Sequence, residues 1–202
     1  MLESRKVFLV NAVLNYFSSL SPITPGFIHE IEKNVQPVLV KKNKYILSPI
    51  DNNDDVFFVV SGLVRGFIKD DGKEITTWIS LGTEFIGAIQ HPGGSVQPSI
   101  EYLQALENSE LVPIPHALID KLYASYPETN IIGRKILALQ YHAASERSIL
   151  ARIPSAERRY EKFLELNSFD VSKVPLRCVA SYLGMRLETL SRIRSKLVKE
   201  LV

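Results

Sequence analysis

The sequence predicts an α+β fold in which helices flank an antiparallel β domain and a helical domain ends the chain. Residues 1–34 show helical periodicity, and from Gln36 to residue 115 β-branched and aromatic runs alternate with turn signals. Helical periodicity then returns and continues to the C-terminus. A block of strands between helical blocks is typical of α+β proteins, and short, evenly spaced strands favour a sandwich, barrel or roll.

Composition and charge indicate a globular protein with one basic end. The 202 residues are 46% hydrophobic and 23% charged, which is ordinary for a soluble domain. The net charge of +2 is unevenly spread, since the chain from Arg152 onward holds 11 Lys and Arg against 6 Asp and Glu. A basic last quarter on a mildly acidic body predicts a polyanionic partner for the C-terminal end.

Cysteine and histidine usage argues against disulfide, metal and cofactor sites. Cys178 is the single cysteine, so neither a disulfide framework nor an all-cysteine cluster can form within one chain. We expect Cys178 to be a small buried residue and His142 to be solvated, and we expect no metal and no cofactor. The four histidines are scattered without ligand spacing.

The N-terminal segment predicts a helix rather than a targeting signal. The stretch RKVFLVNAVLNYF has a charged start and an apolar continuation, but Asn11 and Asn15 interrupt it. The apolar residues Leu9, Val13, Phe17 and Leu20 recur at near-helical spacing, which predicts an amphipathic helix. No apolar run approaches the ~18–20 residues of a spanning helix, so we expect a cytoplasmic protein without membrane contact.

The longest helical stretch runs from Pro127 to Ile153 and predicts either a dimer seam or a helix packed on its own domain. Apolar residues recur there at alternating spacings of four and three, and Glu146 breaks the pattern once. So narrow a stripe favours pairing with the same helix of a second copy. The predicted dimer residues are Ile132, Ile136, Leu139, Ala143 and Leu150. The helix divides the chain into residues 1–126, 127–153 and 154–202.

The last segment has the spacing of a helix-turn-helix. Pro175 suits the first position of a helix, and Gly184 can adopt the positive φ of a sharp turn. Beyond the turn, Leu190, Ile193 and Leu197 recur at i, i+3 and i+7, which predicts a second helix with one buried side. Two helices joined by a short glycine-containing turn can place the second helix in the DNA major groove.

The polar face of the second helix carries residue types that read bases. Glu188, Ser191 and Arg192 lie at i, i+3 and i+4 and therefore share the first exposed turns. Arginine bonds guanine, glutamate accepts from cytosine, and serine bonds either bases or phosphates. A solvated basic helix is the alternative reading of the same charges. The predicted contacts to the DNA backbone come from Arg186, Thr189, Arg194 and Lys196.

The stretch VASYLGMRLETLSRIRSKL resembles the helix-turn-helix of the Crp/Fnr (catabolite activator-like) transcription regulators. Its core Glu-Thr-x-Ser-Arg is intact at residues 188–192, and FFVVSGLVRGFIKDDGKEITTWISLGTEFIG is similar to the family's β-roll. The resemblance implies an N-terminal antiparallel β-roll, which is a double-stranded β-helix of the cyclic-nucleotide-binding type, then a dimerisation helix and a DNA-binding domain. It implies a homodimer on a pseudo-palindromic operator in double-stranded DNA, base contacts from Glu188 and Arg192, and RNA polymerase as a candidate partner.

The sequence departs from the family pattern at two places, one that concerns effector binding and one that concerns contacts to the DNA backbone. After Phe85-Ile86-Gly87, Ala88 stands where a ribose-binding glutamate is expected, and Ser99 stands where a phosphate-binding arginine is expected. A buried phosphate without its cation is poorly compensated, so we expect cyclic-nucleotide binding to be lost. The candidate effector pocket is Phe85, Gly87, Ala88 and Ser99, with an unidentified small molecule or no effector at all. We also expect no β-hairpin wing after the second helix.

Two other functions remain as alternatives at this point. A β-roll that binds a ligand or a protein, with purely structural C-terminal helices, would share the same strand pattern. A metal-dependent cupin-type enzyme is disfavoured because the strand segments lack a clustered set of histidine and glutamate ligands. We therefore expect a regulator rather than an enzyme.

Overall fold

The computed structural model describes residues 3–51, 55–87, 100–166 and 171–200. The helices in this part of the chain are α1 (Glu3–Leu20), α2 (Pro25–Asn34), α3 (His116–Ser125), α4 (Glu128–Arg152), α5 (Ala156–Leu166), α6 (Leu176–Tyr182) and α7 (Leu187–Glu200), with a 3₁₀ turn at Val171–Lys173. The strands are β1 (Val38–Val40), β2 (Tyr45–Leu47), β3 (Val56–Ser61), β4 (Val64–Asp70), β5 (Lys73–Ser80), β6 (Glu84–Gly87), β7 (Tyr102–Ala105) and β8 (Ser109–Ile114).

The strands form two four-stranded sheets, with the orders β1-β8-β3-β6 and β2-β7-β4-β5. Strand β8 pairs antiparallel with both β1 and β3, β3 pairs antiparallel with β6, and β2 pairs antiparallel with β7. Consecutive strands therefore alternate between the two sheets, as in a roll, except at β4 and β5, which are neighbours in one sheet. The predicted α+β fold, with an N-terminal β-roll and C-terminal helices, is confirmed.

Backbone conformation explains where two of the turns fall. The hairpin between β4 and β5 has a two-residue loop, in which Asp71 and Gly72 have φ of 45° and 71°. Positive φ at both central residues is the type I′ pattern that matches strand twist, and the pair Asp-Gly is one of the sequences that favour it. Between β1 and β2 the chain turns at Asn43, which has φ of 66°.

Close backbone contacts divide the chain into two compact units. The first combines the chain up to Gly66 with Ile79–Leu139, and the second combines Phe67–Trp78 with the chain from Gln140 onward. The three parts predicted from the sequence have boundaries that differ from those of the two units. The three-part division therefore stays a prediction. Among the described residues, no helix has both the length and the apolar character needed to cross a membrane.

The core of the first unit lies between α1, α2, α3, the start of α4 and strands β3 and β8. The predicted spacing on α1 is confirmed, since Leu9 and Val13 are fully buried and Phe17 is 6% exposed. Thr24 begins α2 by accepting a hydrogen bond from the Phe27 N–H at 3.4 Å. Its own N–H and hydroxyl both donate to Oε1 of Glu128, at 3.0 and 2.7 Å, which joins the starts of α2 and α4.

A carboxylate on β8 holds α1 against the sheet. Arg5 donates from Nε to Oε1 of Glu110 at 2.7 Å, and its Nη2 donates to the second carboxylate oxygen. Ser61 donates to the same carboxylate at 2.8 Å. The hydrogen bond from Arg5 is the main cause that lowers the pKa of Glu110, and partial burial opposes it. The folded protein therefore favours the charged form of Glu110.

We expect Glu110→Gln to be less stable than the wild type at neutral pH, with a difference that shrinks in acid. Because the pKa is lowered on folding, the contribution is complete above the ordinary carboxyl pKa of about 4.3 and is lost as the pH falls through the folded-state value. Urea unfolding across that range measures it. The matched control is Glu107→Gln, which removes the same charge from the neighbouring loop. Equal destabilisation by Glu110→Gln at neutral and acidic pH would contradict the assignment.

Candidate nucleic-acid interface

The turn between α6 and α7 is built by a glycine in the left-handed conformation. Gly184 has φ of 60°, its N–H donates to the Ser181 carbonyl at 3.1 Å, and the Met185 N–H donates to the Ala180 carbonyl at 3.0 Å. These two bonds form a Schellman helix end, which satisfies carbonyls that the helix leaves open. The turn predicted at Gly184 is confirmed. Helix α6 begins at Leu176, so Pro175 is its N-cap rather than its first helical residue.

The inward side of the motif is apolar, as its spacing predicts. Helix α7 packs against α5 and α6, with Leu190 fully buried and Ile193 9% exposed. Cys178 on α6 is also fully buried, which confirms it as a small packing residue. Across the motif, the rings of Phe163 and Tyr182 lie 5.5 Å apart, and burial raises the pKa of the Tyr182 phenol. This packing fixes the face of α7 that points to solvent.

The solvent side of α7 carries all three residues predicted to contact bases. Glu188, Ser191 and Arg192 are exposed, and they begin one residue after the helix starts at Leu187. Ser191 and Arg192 line a surface groove of ≈ 390 Å³ together with Ser195 and Lys196. The sequence reasoning missed Ser195, although its spacing of four from Ser191 places it on the same face.

The four residues predicted to contact the DNA backbone differ in their exposure to solvent. Arg186 and Lys196 are exposed, whereas Thr189 and Arg194 are half-buried. Lys196 donates to Oε1 of Glu157 on α5 at 2.8 Å. Because this ion pair joins two different helices, no local spacing in the sequence could have indicated it.

A serine on α6 binds the outer edge of β5 within the second unit. Among the described residues, β5 is the last strand of its sheet. The Thr76 N–H donates to Oγ of Ser181 at 2.9 Å, and that hydroxyl donates to the Glu74 carbonyl at 3.0 Å. One side chain therefore satisfies a donor and an acceptor of the strand edge. This attachment of the hairpin tip to the first helix of the motif was not predicted.

The described residues of the candidate effector pocket are half-buried, and Phe85 packs against the core of the first unit. Phe85 packs on Phe17 and Phe58, with ring centroids 5.6 and 5.0 Å apart. Gly87 has φ of 148°, and a Cβ there would come within 2.9 Å of the Asp55 carbonyl oxygen. Both residues thus have structural reasons for their identity. Ala88 and Ser99 lie outside the described residues. In the described ranges, no group of three or more metal-ligating side chains is found.

The predicted dimer residues on α4 do not share one environment. Ile132 and Leu150 are only 2% and 4% exposed, so packing within the chain already covers them. Ile136 and Ala143 are half-buried, and Leu139 is 53% exposed. For Ile132 and Leu150 the alternative reading, a helix packed on its own domain, therefore fits better. The neighbouring positions Ile131 and Ile149, at 42% and 64%, are exposed instead, and the seam as a whole stays a prediction.

His142 lies on α4 as a solvent-facing residue, as expected. Its side chain is 73% exposed, and Nδ1 lies 3.5 Å from a carboxylate oxygen of Glu146, one turn further along the helix. Glu146, which interrupts the apolar spacing, thus belongs to a polar surface of the helix.

Comparisons with known proteins agree with this architecture. No protein-family model matches the chain. The transcriptional activator protein Anr of Pseudomonas protegens is 25% identical over 178 residues, which cover 82% of this chain and 71% of that protein. The structure of FixK2 from Bradyrhizobium japonicum matches with a TM-score of 0.70 and 20% identity, over 82% of this chain and 85% of that one.

A transcriptional regulator of the crp/fnr family from Eubacterium rectale matches more of the chain. Its TM-score is 0.68 at 19% identity, and the match covers 92% of this chain and 88% of that one. These structures share the fold, and two of the sequence relatives, Anr and FnrA, are named as transcriptional activator proteins. In fold and in its helix-turn-helix geometry, the chain is therefore similar to transcription regulators of the Crp/Fnr family.

Proposed function

We propose that this regulator acts as a homodimer that reads a pseudo-palindromic operator through the first turns of α7. The observation that carries the proposal is the separation of the two sides of this helix: Leu190 and Ile193 are buried, while Glu188, Ser191 and Arg192 are exposed. A helix-turn-helix places the N-terminal residues of its second helix against base edges in the major groove. The chain is thus a DNA-binding regulator of transcription and not an enzyme.

The chemistry of the exposed face supports a division of roles. Arg192 can donate two hydrogen bonds to one guanine, Glu188 can accept from a cytosine amino group, and Ser191 can bond either kind of edge. Arg186, Thr189, Arg194 and Lys196 then bond phosphates and set the register of the helix without reading sequence. Two of these four are exposed in the free protein.

The ion pair between Lys196 and Glu157 affects how strongly Lys196 can bind a DNA phosphate. In the free protein the ammonium group is 2.8 Å from the carboxylate, and both side chains are partly exposed. An exposed pair of this kind contributes at most about 1 kcal/mol, so a DNA phosphate can replace the carboxylate at little cost. The salt bridge holds the lysine beside the groove until DNA arrives.

Dimerisation through α4 supplies the two-fold symmetry that a palindrome requires. Exposed apolar side chains on this helix include Leu137, Leu139, Tyr141 and Ile149, at 66, 53, 77 and 64% exposure. Successive residues lie about 100° apart around a helix, so these side chains face different directions, and a second copy of α4 would cover Leu139 together with the half-buried Ile136 and Ala143. A two-fold interface is the commonest kind in homo-oligomers. Each protomer then presents one α7 to one half-site.

The β-roll would serve as a sensor that no longer binds a cyclic nucleotide. Ala88 cannot accept a hydrogen bond from a ribose, and Ser99 cannot neutralise a phosphate. A different small molecule, or none, would then set the activity of the dimer. RNA polymerase is the candidate protein partner of such a regulator, and the cytoplasm is its expected location.

We expect Arg192→Ala to relax the sequence preference at one base pair of each half-site and to cost ~1–3 kcal/mol on the preferred operator. Selection of bound sequences from a random DNA pool, followed by titration of the preferred operator and its point variants, measures both effects. Arg158→Ala is the matched control, because Arg158 is an exposed arginine on the neighbouring helix α5.

The phosphate contact predicted for Lys196 gives a contrasting result in the same assay. Lys196→Ala should weaken binding equally on all sequences and reduce the slope of log K against log salt by about 1. Equal loss on every sequence for Arg192→Ala would make Arg192 a phosphate contact. Binding that never exceeds the non-specific level would favour the alternative of a β-roll module without specific DNA binding.

We expect cyclic AMP and cyclic GMP to change neither the unfolding temperature nor the operator affinity. A ligand that binds only the folded state raises the unfolding temperature in proportion to RT ln(1 + [L]/Kd), so a flat response up to millimolar nucleotide indicates no specific site. Thermal unfolding with 5′-AMP as the control separates cyclic-phosphate recognition from general nucleotide binding. A rise in unfolding temperature with the cyclic nucleotides alone would show that the roll retains the family's ligand.

A further inference from the structure

One guanidinium in α5 connects the end of α4 to the turn of the helix-turn-helix. Arg159 donates from Nη1 to the carbonyls of Ile153 and Pro154, at 2.7 and 3.2 Å. Its Nε donates to the Leu183 carbonyl at 2.9 Å, and its Nη2 donates to the Gly184 carbonyl at 3.5 Å. All five residues belong to the second unit, and the Arg159 side chain is half-buried among them.

The four acceptors are carbonyls that their own helices cannot satisfy. Ile153 and Pro154 follow the last residue of α4, and Leu183 and Gly184 follow the last residue of α6. The final carbonyls of a helix have no intrahelical partner, and the helix dipole makes that end negative. A single cation between two such ends is therefore attracted by both and donates hydrogen bonds to both.

Only arginine has the shape for this position. The planar guanidinium carries five N–H donors in a fixed fork, whereas a lysine ammonium is a compact point charge on a flexible stem. Charge-assisted hydrogen bonds are also stronger than neutral ones. The side chain of the neighbouring Arg158 is exposed instead. Its backbone N–H donates to the Ser155 hydroxyl at 3.3 Å, at the start of α5.

We propose that Arg159 is a positioning residue that sets the separation of the two recognition helices, and hence the half-site spacing that the dimer accepts. This inference rests on the proposed function, in which α4 pairs with its copy and each α7 reads one half-site. If the α4 helices are paired, their C-terminal ends are fixed relative to each other. Arg159 then fixes the turn before each α7 relative to those ends.

The geometry of DNA makes spacing a sensitive measure of this role. Half-sites of a helix-turn-helix dimer lie about 10–10.5 base pairs, one helical turn, apart. One inserted base pair therefore rotates a half-site by about 35° and shifts it by about 3.4 Å. Rigidly held recognition helices reject such a change, whereas loosely held ones can follow it.

The test compares the wild type and three variants on a series of operators derived by selection. The operators carry the preferred spacing, one or two inserted or deleted base pairs, or a single half-site. The proteins are wild type, Arg159→Lys and Arg159→Gln, with Arg158→Gln as the control that removes one charge from the next position on α5. The readout is the ratio of affinities between preferred and altered spacing, together with thermal unfolding of each protein.

We expect the wild type and Arg158→Gln to prefer the selected spacing strongly. Both Arg159 variants should bind the single half-site like the wild type, but their spacing preference should fall about tenfold, because one lost charge-assisted hydrogen bond changes an equilibrium by about that factor. Arg159→Lys keeps the charge, so a loss in this variant shows that the fork geometry matters.

Three outcomes would overturn one or the other claim, and they are distinguishable. Arg159 variants that keep the wild-type spacing ratio would overturn the positioning role, and a uniform loss on all operators, including the half-site, would assign Arg159 to stability alone. A wild type without any spacing preference would instead overturn the proposed dimeric function. If Arg159→Gln fails to fold, the spacing ratio of Arg159→Lys decides.

Discussion

The left-handed turn at Gly184 is the constraint on which the reading surface depends. A φ of 60° costs an L-residue with a side chain ~1–2 kcal/mol, but glycine adopts it freely. A Cβ at this position would meet nothing within 4 Å, so the requirement is conformational rather than spatial. Because the chain reverses here, α7 starts at Leu187, and its first exposed turn holds Glu188, Ser191 and Arg192.

The sequence predicted the outward face of α7 better than it predicted the partner-facing side of α4, and the reason is physical. On α7 the apolar stripe is covered by α5 and α6 of the same chain, so Leu190 and Ile193 are buried where the periodicity places them. On α4 the stripe shows which residues are apolar but not which neighbour covers them. Ile132 and Leu150 are buried by other residues of their own chain. Neighbouring residues lie about 100° apart around a helix, so the residue next to a buried one can face solvent.

Contacts between distant segments could not be predicted from local spacing. Nothing in the sequence around Arg159 distinguishes it from Arg158, since both lie in the same charged run of α5. Only the fold brings the ends of α4 and α6 to one of them. The β-roll, its DDGK hairpin and the glycine turn were predictable because each depends on residues a few positions apart. For Phe85 the sequence suggested a pocket, whereas the fold places its ring in an aromatic cluster with Phe17 and Phe58.

The helix-turn-helix is held in the second unit by two attachments of unequal strength. Arg159 binds the turn with charge-assisted hydrogen bonds, whereas Ser181 binds the edge of β5 with two neutral ones, of 2.9 and 3.0 Å. A neutral hydrogen bond contributes about 0.5–1.5 kcal/mol net, because water competes for both partners, and a bond to a charged group contributes about 1.5–3 kcal/mol. The serine attachment is therefore the one that a modest free energy can open, while the arginine attachment stays closed.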